Sequence, residues 1–283
     1  MKSENLETTL IIFSCEGREH LIQSTFLSFT GICEYKFYKK ILALDGTYKL
    51  QNYSSINPDL IVQNYRRKGY IQNILNALNL VDSEFFFWLE DDWEFTRKFD
   101  IEDMLSLLQK NPDWVQVRLS KTAPLAQEEK KIRLFNDIYE SVYGFSANPC
   151  LCRTSHVKAG FEALQKSSLS ETLGFENFLS HWFSDNSIIC TVLDPEKLPM
   201  VIHSGYLEST PRQWHMTASL DGKTDTYLSA MEHAGEPKFW RKFLMVYKLN
   251  RAAFILSIRI FLSRAAYDLS FRISNVIKEF CDY

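Results

Sequence analysis

Three consecutive carboxylates, Glu90-Asp91-Asp92, follow directly on the apolar run Phe85-Phe-Phe-Trp-Leu89. Three such groups at the end of a buried strand are costly unless they are solvated, paired or holding a cation. Carboxylate oxygens suit hard divalent cations such as Mg²⁺ and Mn²⁺, which keep open positions for phosphate. In an extended segment alternate side chains face the same way, so Glu90 and Asp92 are expected to reach one ion together. The alternative is a solvated strand end with no ligand. A second carboxylate, Asp45, closes another apolar run, Lys40-Ile-Leu-Ala-Leu44, and is followed by Gly46. Asp-Gly is also an ordinary turn signal.

These residues need elements to place them. Thr8 to Phe13 reads as a buried strand, 18–29 as a helix, and 40–44 as a second strand. Residues 67–80 have helical spacing, with Ile71, Leu75 and Leu78 apolar. Residues 84–89 read as a strand, 101–110 as a helix and 114–119 as another strand. Such alternation predicts an α/β domain with a largely parallel sheet flanked by helices. Ligands of such sheets bind beyond the carboxyl ends of the strands, where Asp45 and Glu90–Asp92 both fall. Further on, 122–138 is expected to be a loop with a short helix, and 143–153 a strand pair or turn region. A helix is expected from about Glu176, then short strands at 187–193 and 200–203. Residues 204–236 are rich in turn formers, and the pattern is helical from Phe239.

In this order the motifs resemble the GT-A glycosyltransferases, the nucleotide-diphospho-sugar transferases of the family-2 kind. The resemblance covers roughly residues 8–205. It rests on the first strand Leu10-Ile-Ile-Phe13 with the early Arg18, and on Leu44-Asp45-Gly46-Thr47 closing the second strand. It continues through Arg66-Arg67-Lys68-Gly69 and Asn73, through Glu90-Asp91-Asp92 in the place of the family's Asp-x-Asp motif, and on to Glu176-Asn177 and the late His203. It implies a GT-A core over 1–205 that takes a UDP- or GDP-linked sugar and Mn²⁺ or Mg²⁺. By the same resemblance Asp92 is the direct metal ligand and His203 completes the shell. Glu90 and Asp91 ligate through water or orient the ribose, Asp45 meets base or ribose, and Arg18 and Lys68 meet base or phosphate. Glu176 is the candidate base toward the acceptor hydroxyl. The family's usual pair there is Glu-Asp; Asn177 cannot act as a base, so Glu176, Asp185 or a retaining mechanism must serve. Each residue also has a plainer reading: Arg18 a helix-start charge, Lys68 a solvated loop charge, Glu176 a charge on the helix dipole, His203 a packed histidine. Trp214, His215 and Arg212 could meet sugar or diphosphate from a closing loop.

The chain has 283 residues, 46% hydrophobic and 24% charged, which excludes disordered and collagen-like classes. A net charge of −3 gives no reason to expect nucleic-acid binding. The charge is uneven. Nine basic and three acidic residues fall in 237–283, a net of +6, leaving −9 for residues 1–236. A basic amphipathic helical tail of this kind can lie on an anionic membrane surface, which suits a lipid-linked glycan acceptor; packing on the core or a homodimer interface are the alternatives. Six cysteines without a CxxC pair, and no signal-peptide core, predict free thiols and a cytoplasmic protein, peripheral at the inner membrane face if the tail binds there. Cys150 and Cys152, one residue apart, fit a strand. Two rival readings stand beside the transferase. One is a sugar nucleotidyltransferase, whose Gly-rich, Arg-containing loop is missing from Phe13-Ser-Cys-Glu-Gly-Arg18. The other is a non-catalytic nucleotide or glycan binder, which Asn177 keeps open.

Overall fold

The computed structural model describes residues 7–46, 55–64, 69–121, 125, 127, 129–167, 174–194 and 198–204. The first apolar run forms β1 (Thr8–Cys15), the second β2 (Lys39–Asp45) and the aromatic run β4 (Phe85–Glu90). With β3 (Leu60–Asn64) they make a parallel array in the order β3-β2-β1-β4. The sheet continues through β9 (Cys150–Arg153), β6 (Trp114–Arg118), β10 (Ile189–Leu193), β8 (Ile138–Glu140) and β7 (Arg133–Phe135). β9 runs antiparallel between β4 and β6, and β8 runs antiparallel to β10, so the sheet is mixed but largely parallel. A separate two-stranded ribbon pairs β5 (Trp93–Phe95) with β11 (Val201–His203).

Both faces of the sheet are covered, which is why its central strands read as unbroken apolar runs. Leu10, Ile12, Leu42, Phe85 and Phe87 pack against α1 (Glu19–Ile32) and α3 (Ile101–Lys110). The alternate set Ile11, Phe13, Ile41, Phe86 and Trp88 packs against α2 (Tyr70–Leu78), α4 (Thr154–Lys166) and α5 (Phe175–Asp185). Each large side chain so buried contributes about 1.5–3 kcal/mol. Asn73, fully buried on α2, donates from Nδ2 to the Ala43 carbonyl at 3.1 Å and ties the helix to β2. Asp100 caps α3 by accepting from the Glu102 and Asp103 amides, so that helix spans the expected 101–110.

Three stretches depart from expectation. Residues 133–140 form the β7–β8 hairpin where a loop and short helix were expected; it turns on Asn136 at φ 31°, an angle asparagine tolerates. Residues 154–166 form α4, which starts directly from β9 with no turn signal between them. Residues 143–153 supply the single strand β9 after a turn at Gly144. Among the described residues no helix is long and apolar enough to cross a membrane. The five cysteines described are free thiols, Cys150 and Cys152 lying on β9 with sulfurs 3.4 Å apart. The loop expected at 206–236 and the basic tail at 237–283, with Arg212, Trp214 and His215, lie outside the described residues.

Candidate functional site

The parallel register brings several predicted residues to one edge. Phe13 pairs with Glu90, Cys15 with Asp45, and Asp45 with Asn64, so the carboxyl ends of β1, β2, β3 and β4 are level. Asp45 is buried there. Its Oδ1 accepts from Asn64 Nδ2 at 3.3 Å and its Oδ2 from the Gly69 amide at 3.0 Å. Gly69 sits at φ 91° as the residue before α2, so this contact needs the glycine. Asn76 of α2 donates in turn to Asn64 Oδ1 at 3.1 Å. Lys68, expected near the donor phosphate, lies outside the described residues.

The extended backbone stops at Glu90, and Asp91 and Asp92 form a turn. The pair that converges on one cation is therefore Asp91 and Asp92, not Glu90 and Asp92 as alternation along a strand would give. That cation is the Arg18 guanidinium: Nη2 lies 2.9 Å from Asp91 Oδ1 and 2.5 Å from Asp92 Oδ2. Ser14 Oγ donates to Asp91 Oδ2 at 2.6 Å, and Thr25 Oγ1 to the Asp91 carbonyl at 2.7 Å. His203 comes from β11, stacked on Trp93 with centroids 4.6 Å apart, and its Nε2 lies 3.0 Å from Asp92 Oδ2. Asp92 Oδ1 is buried with no hydrogen-bond partner. Among the described residues no group of three or more His, Cys, Asp or Glu side chains is arranged to hold a metal ion. The groups here that could take one are Asp92 and His203.

The three carboxylates differ electrostatically. Glu90 accepts a hydrogen bond from the Tyr70 hydroxyl and a long one, 3.5 Å, from Trp93 Nε1. Burial, then the charges of Asp92, Glu176 and Asp91, hold its pKa well above the carboxylate range. Burial also pushes Asp91 up, to about 7, against the pull of Arg18. Burial acts on Asp92 in the same sense, but the hydrogen bond and charge of His203, with Arg18, overcome it and hold Asp92 below its ordinary value.

Glu176 stands in the first turn of α5 beside this cluster. The neighbouring Phe175 ring meets Tyr70 edge to face at 5.8 Å. Glu176 Oε1 accepts from the Ala147 amide at 2.7 Å and from Ser146 Oγ at 3.2 Å. Asp185, the other candidate base, is the last residue of α5, about 13 Å along the axis from Glu176. The structure thus brings Arg18, Asp91, Asp92 and His203 into direct contact and places Asp45, Glu90 and Glu176 around them.

The sequence reading missed Ser14, Thr25, Tyr70, Ser146 and Ala147. Tyr70 carried a signal, since it follows the Gly69 that opens α2. The other four act through contacts with residues far away in the chain and left none. It also missed Arg118, buried at the end of β6, whose Nε has no partner while Nη2 reaches Ser141 Oγ at 3.4 Å and Glu129 Oε1 at 3.5 Å.

Comparison with known proteins follows the same outline. Residues 11–174 match the model of the glycosyl transferase family 2, a span that contains Arg18, Asp45 and Glu90–Asp92 and stops short of Glu176 and His203. No curated protein matches the sequence significantly. Among solved structures, a crystal structure of GalNAc-T7 with UDP, GalNAc and Mn²⁺ is similar at a TM-score of 0.51 and 16% identity; the likeness covers 71% of this chain and 44% of that one. S. aureus TarS is similar at 0.49 and 14% identity, covering 75% of this chain and 38% of that one. A CMP:2-keto-3-deoxy-manno-octonic acid synthetase complexed with CTP follows at 0.46 and 12%, covering 66% of this chain and 89% of that one. This chain spans less than half the length of the first two, and identities this low speak for the fold alone. The sheet and helices are those of a GT-A glycosyltransferase, and the family match covers more than half the sequence: the chain belongs to the glycosyl transferase family 2.

Proposed function

We propose that the protein transfers a sugar from a UDP- or GDP-linked donor to the hydroxyl of a glycan or lipid-linked glycan, with a divalent cation at Asp92. One observation carries the reading. Asp92, whose pKa His203 and Arg18 hold below its ordinary value, keeps a buried, unpartnered Oδ1 at the carboxyl edge of the sheet, with its Oδ2 against the His203 imidazole. A buried carboxylate oxygen without a donor is expensive unless a ligand uses it. A carboxylate oxygen and an imidazole nitrogen are donors that Mn²⁺ accepts, and Mg²⁺ accepts the oxygen. Asp92 Oδ2 is already in contact with Arg18 and His203, so the oxygen that would meet the ion is Oδ1. Two protein donors of this kind suit an ion that would also be held by diphosphate oxygens and water.

In this reading the cation supplies Lewis acidity that neutralises the departing nucleoside diphosphate. Asp92 would hold it through a carboxylate oxygen and His203 through a ring nitrogen. Arg18 keeps Asp91 and Asp92 together and adds a positive charge at the same edge. Asp45, fixed by Asn64 and the Gly69 amide, presents its carboxylate to base or ribose. Glu176 takes the proton of the attacking acceptor hydroxyl, its carboxylate oriented by the Ala147 amide. The basic residues of 237–283 would draw the protein to an anionic membrane surface, where a lipid-linked acceptor lies.

Calorimetric titration of UDP and of GDP, each with Mn²⁺ and with EDTA, tests the donor site on the wild type and on Asp92→Ala. The expected result is metal-dependent binding of one nucleotide that Asp92→Ala abolishes. Binding that persists in EDTA would make Arg18 the only cation the diphosphate needs and refute metal dependence. Glu176→Gln separates the transferase from the binder: a transferase loses turnover and keeps nucleotide affinity.

A further inference from the structure

We propose that Gln116 is a positioning residue for Glu176, acting through the backbone of Ser146 and Ala147. The proposal rests on Glu176 being the base toward the acceptor. Gln116 lies in the middle of β6, in the interior of the sheet, and is completely buried. Its neighbours in register, Cys152 on β9 and Cys190 on β10, are buried thiols. An amide in such surroundings must find strong partners or destabilise the fold. Gln116 finds both in one residue. Its Nε2 donates to the Ser146 carbonyl at 3.2 Å, and its Oε1 accepts from the Ser146 amide at 3.2 Å. The two bonds fix the amide's orientation, because only this assignment gives each group a complementary partner. The Gln116 carbonyl is itself held, accepting from Thr191 Oγ1 at 2.7 Å.

The far side of the clamped residue is what grips Glu176. Ser146 Oγ donates to Glu176 Oε1 at 3.2 Å, and the next amide, Ala147, donates to the same oxygen at 2.7 Å. Both donors come from a segment with no regular structure of its own, and a loop amide is directed only as well as the loop is held. Ser180 holds the segment from the helix side, its Oγ accepting from the Phe145 amide at 2.9 Å. Gln116 holds it from the sheet side. A rigid strand thereby sets the direction of the amide that aims the carboxylate.

Two measurements on the full chain test this. The first needs no donor sugar: the Ala147 amide proton, hydrogen-bonded to a carboxylate, resonates downfield in a spectrum selectively labelled at alanine nitrogen. Glu176→Gln and Gln116→Met should each move it upfield, and the double variant no further than either alone. The second is turnover, read as release of the nucleoside diphosphate selected by the titration. Gln116→Met should lower kcat by roughly 10- to 100-fold, the range for small misplacement of a catalytic group, while donor KM stays within about two-fold. In a Glu176→Asp background, where the carboxylate is already one methylene short of the Ala147 amide, the same substitution should cost almost nothing more. An unmoved Ala147 resonance in Gln116→Met overturns the proposal, and so does a kcat loss repeated in full in the Glu176→Asp background. If Gln116→Met does not fold, Gln116→Asn carries the same test, its amide one methylene short of both Ser146 backbone groups, with an expected kcat loss of about three- to ten-fold. Turnover retained in Glu176→Gln defeats the base assignment instead, and is recognised separately from the resonance result.

Discussion

Replacing Arg18 by methionine removes the guanidinium and keeps most of the aliphatic volume. In the wild type its Nη2 contacts both Asp91 and Asp92, whose side chains are 6% and 8% exposed; that of Arg18 is 20% exposed. Breaking a buried ion pair from one side costs about 3–5 kcal/mol, and a surface pair is worth about 0–1. The arginine is mostly but not wholly buried, and Asp91 and Asp92 keep Ser14 and His203, so the lower part of the buried range applies: about 3 kcal/mol near neutral pH. For a chain of this length that lowers Tm by roughly 6–12 °C. The loss must depend on pH. Burial already holds the wild-type Asp91 pKa up, at about 7, and removing Arg18 raises it further. The variant's native state then binds more protons than the wild type's around neutrality, so its stability falls more steeply as pH rises. Near pH 5 Asp91 is protonated in both proteins, and only the pairing with Asp92 is lost. Urea unfolding followed by tryptophan fluorescence at about pH 5 and about pH 8 should give the larger difference at the higher pH. Equal differences at the two values, or a loss below about 1 kcal/mol at both, would refute the claim that Arg18 neutralises the pair.

Gly144 has φ +68°, and a β-carbon there would lie 2.4 Å from Ser180 Cβ and Oγ, so Gly144→Ala should cost about 2–4 kcal/mol in chemical denaturation. A loss within about 0.5 kcal/mol would mean that the segment shifts freely away from α5. Burial raises the thiol pKa values of Cys33, to about 11, and of Cys152 and Cys190. In a Cys281→Ser background only the part-exposed Cys15 should react quickly with a thiol reagent under native conditions, which mass mapping of the labelled peptides checks.

How far the sequence could be read followed burial and distance. β1 and β4 were plain because both faces are covered, so nearly every residue from Leu10 to Phe13 and from Phe85 to Leu89 had to be apolar. α3 was plain because Asp100 caps it and its apolar positions keep helical spacing. The β7–β8 hairpin was not: its strands have three residues each, and Phe135, which would have marked a core strand, is 57% exposed. α4 was hidden by the absence of any loop between Arg153, the last residue of β9, and its own first turn. At the site, Asp45 and Glu90–Asp92 were legible because a strand end in a parallel sheet is a local feature. That Arg18 bridges Asp91 and Asp92, and that Ala147 grips Glu176, depends on chain segments brought together only by the fold.

Three acids at one strand end are tolerable because the fold gives each different partners and shifts their pKa values in different senses. Burial pushes the Glu90 pKa well above its ordinary value, and Tyr70 and Trp93 donate to its oxygens. Asp91 sits near its midpoint at neutral pH, with both oxygens taken by Ser14 and Arg18. Asp92 is the one held ionised, by His203 and Arg18, and the one with an oxygen to spare. The positive charge of Arg18 lies directly against Asp91 and Asp92. A divalent ion arriving alone would meet one free carboxylate oxygen and one imidazole, too few ligands for a hard cation. In the proposed function an ion joined to a diphosphate would bring most of its own ligands and would need from the protein little more than Asp92 and His203. Under the proposed function, Glu90-Asp91-Asp92 would therefore supply one ligand and two supporting residues, and nucleotide and metal would bind as a pair.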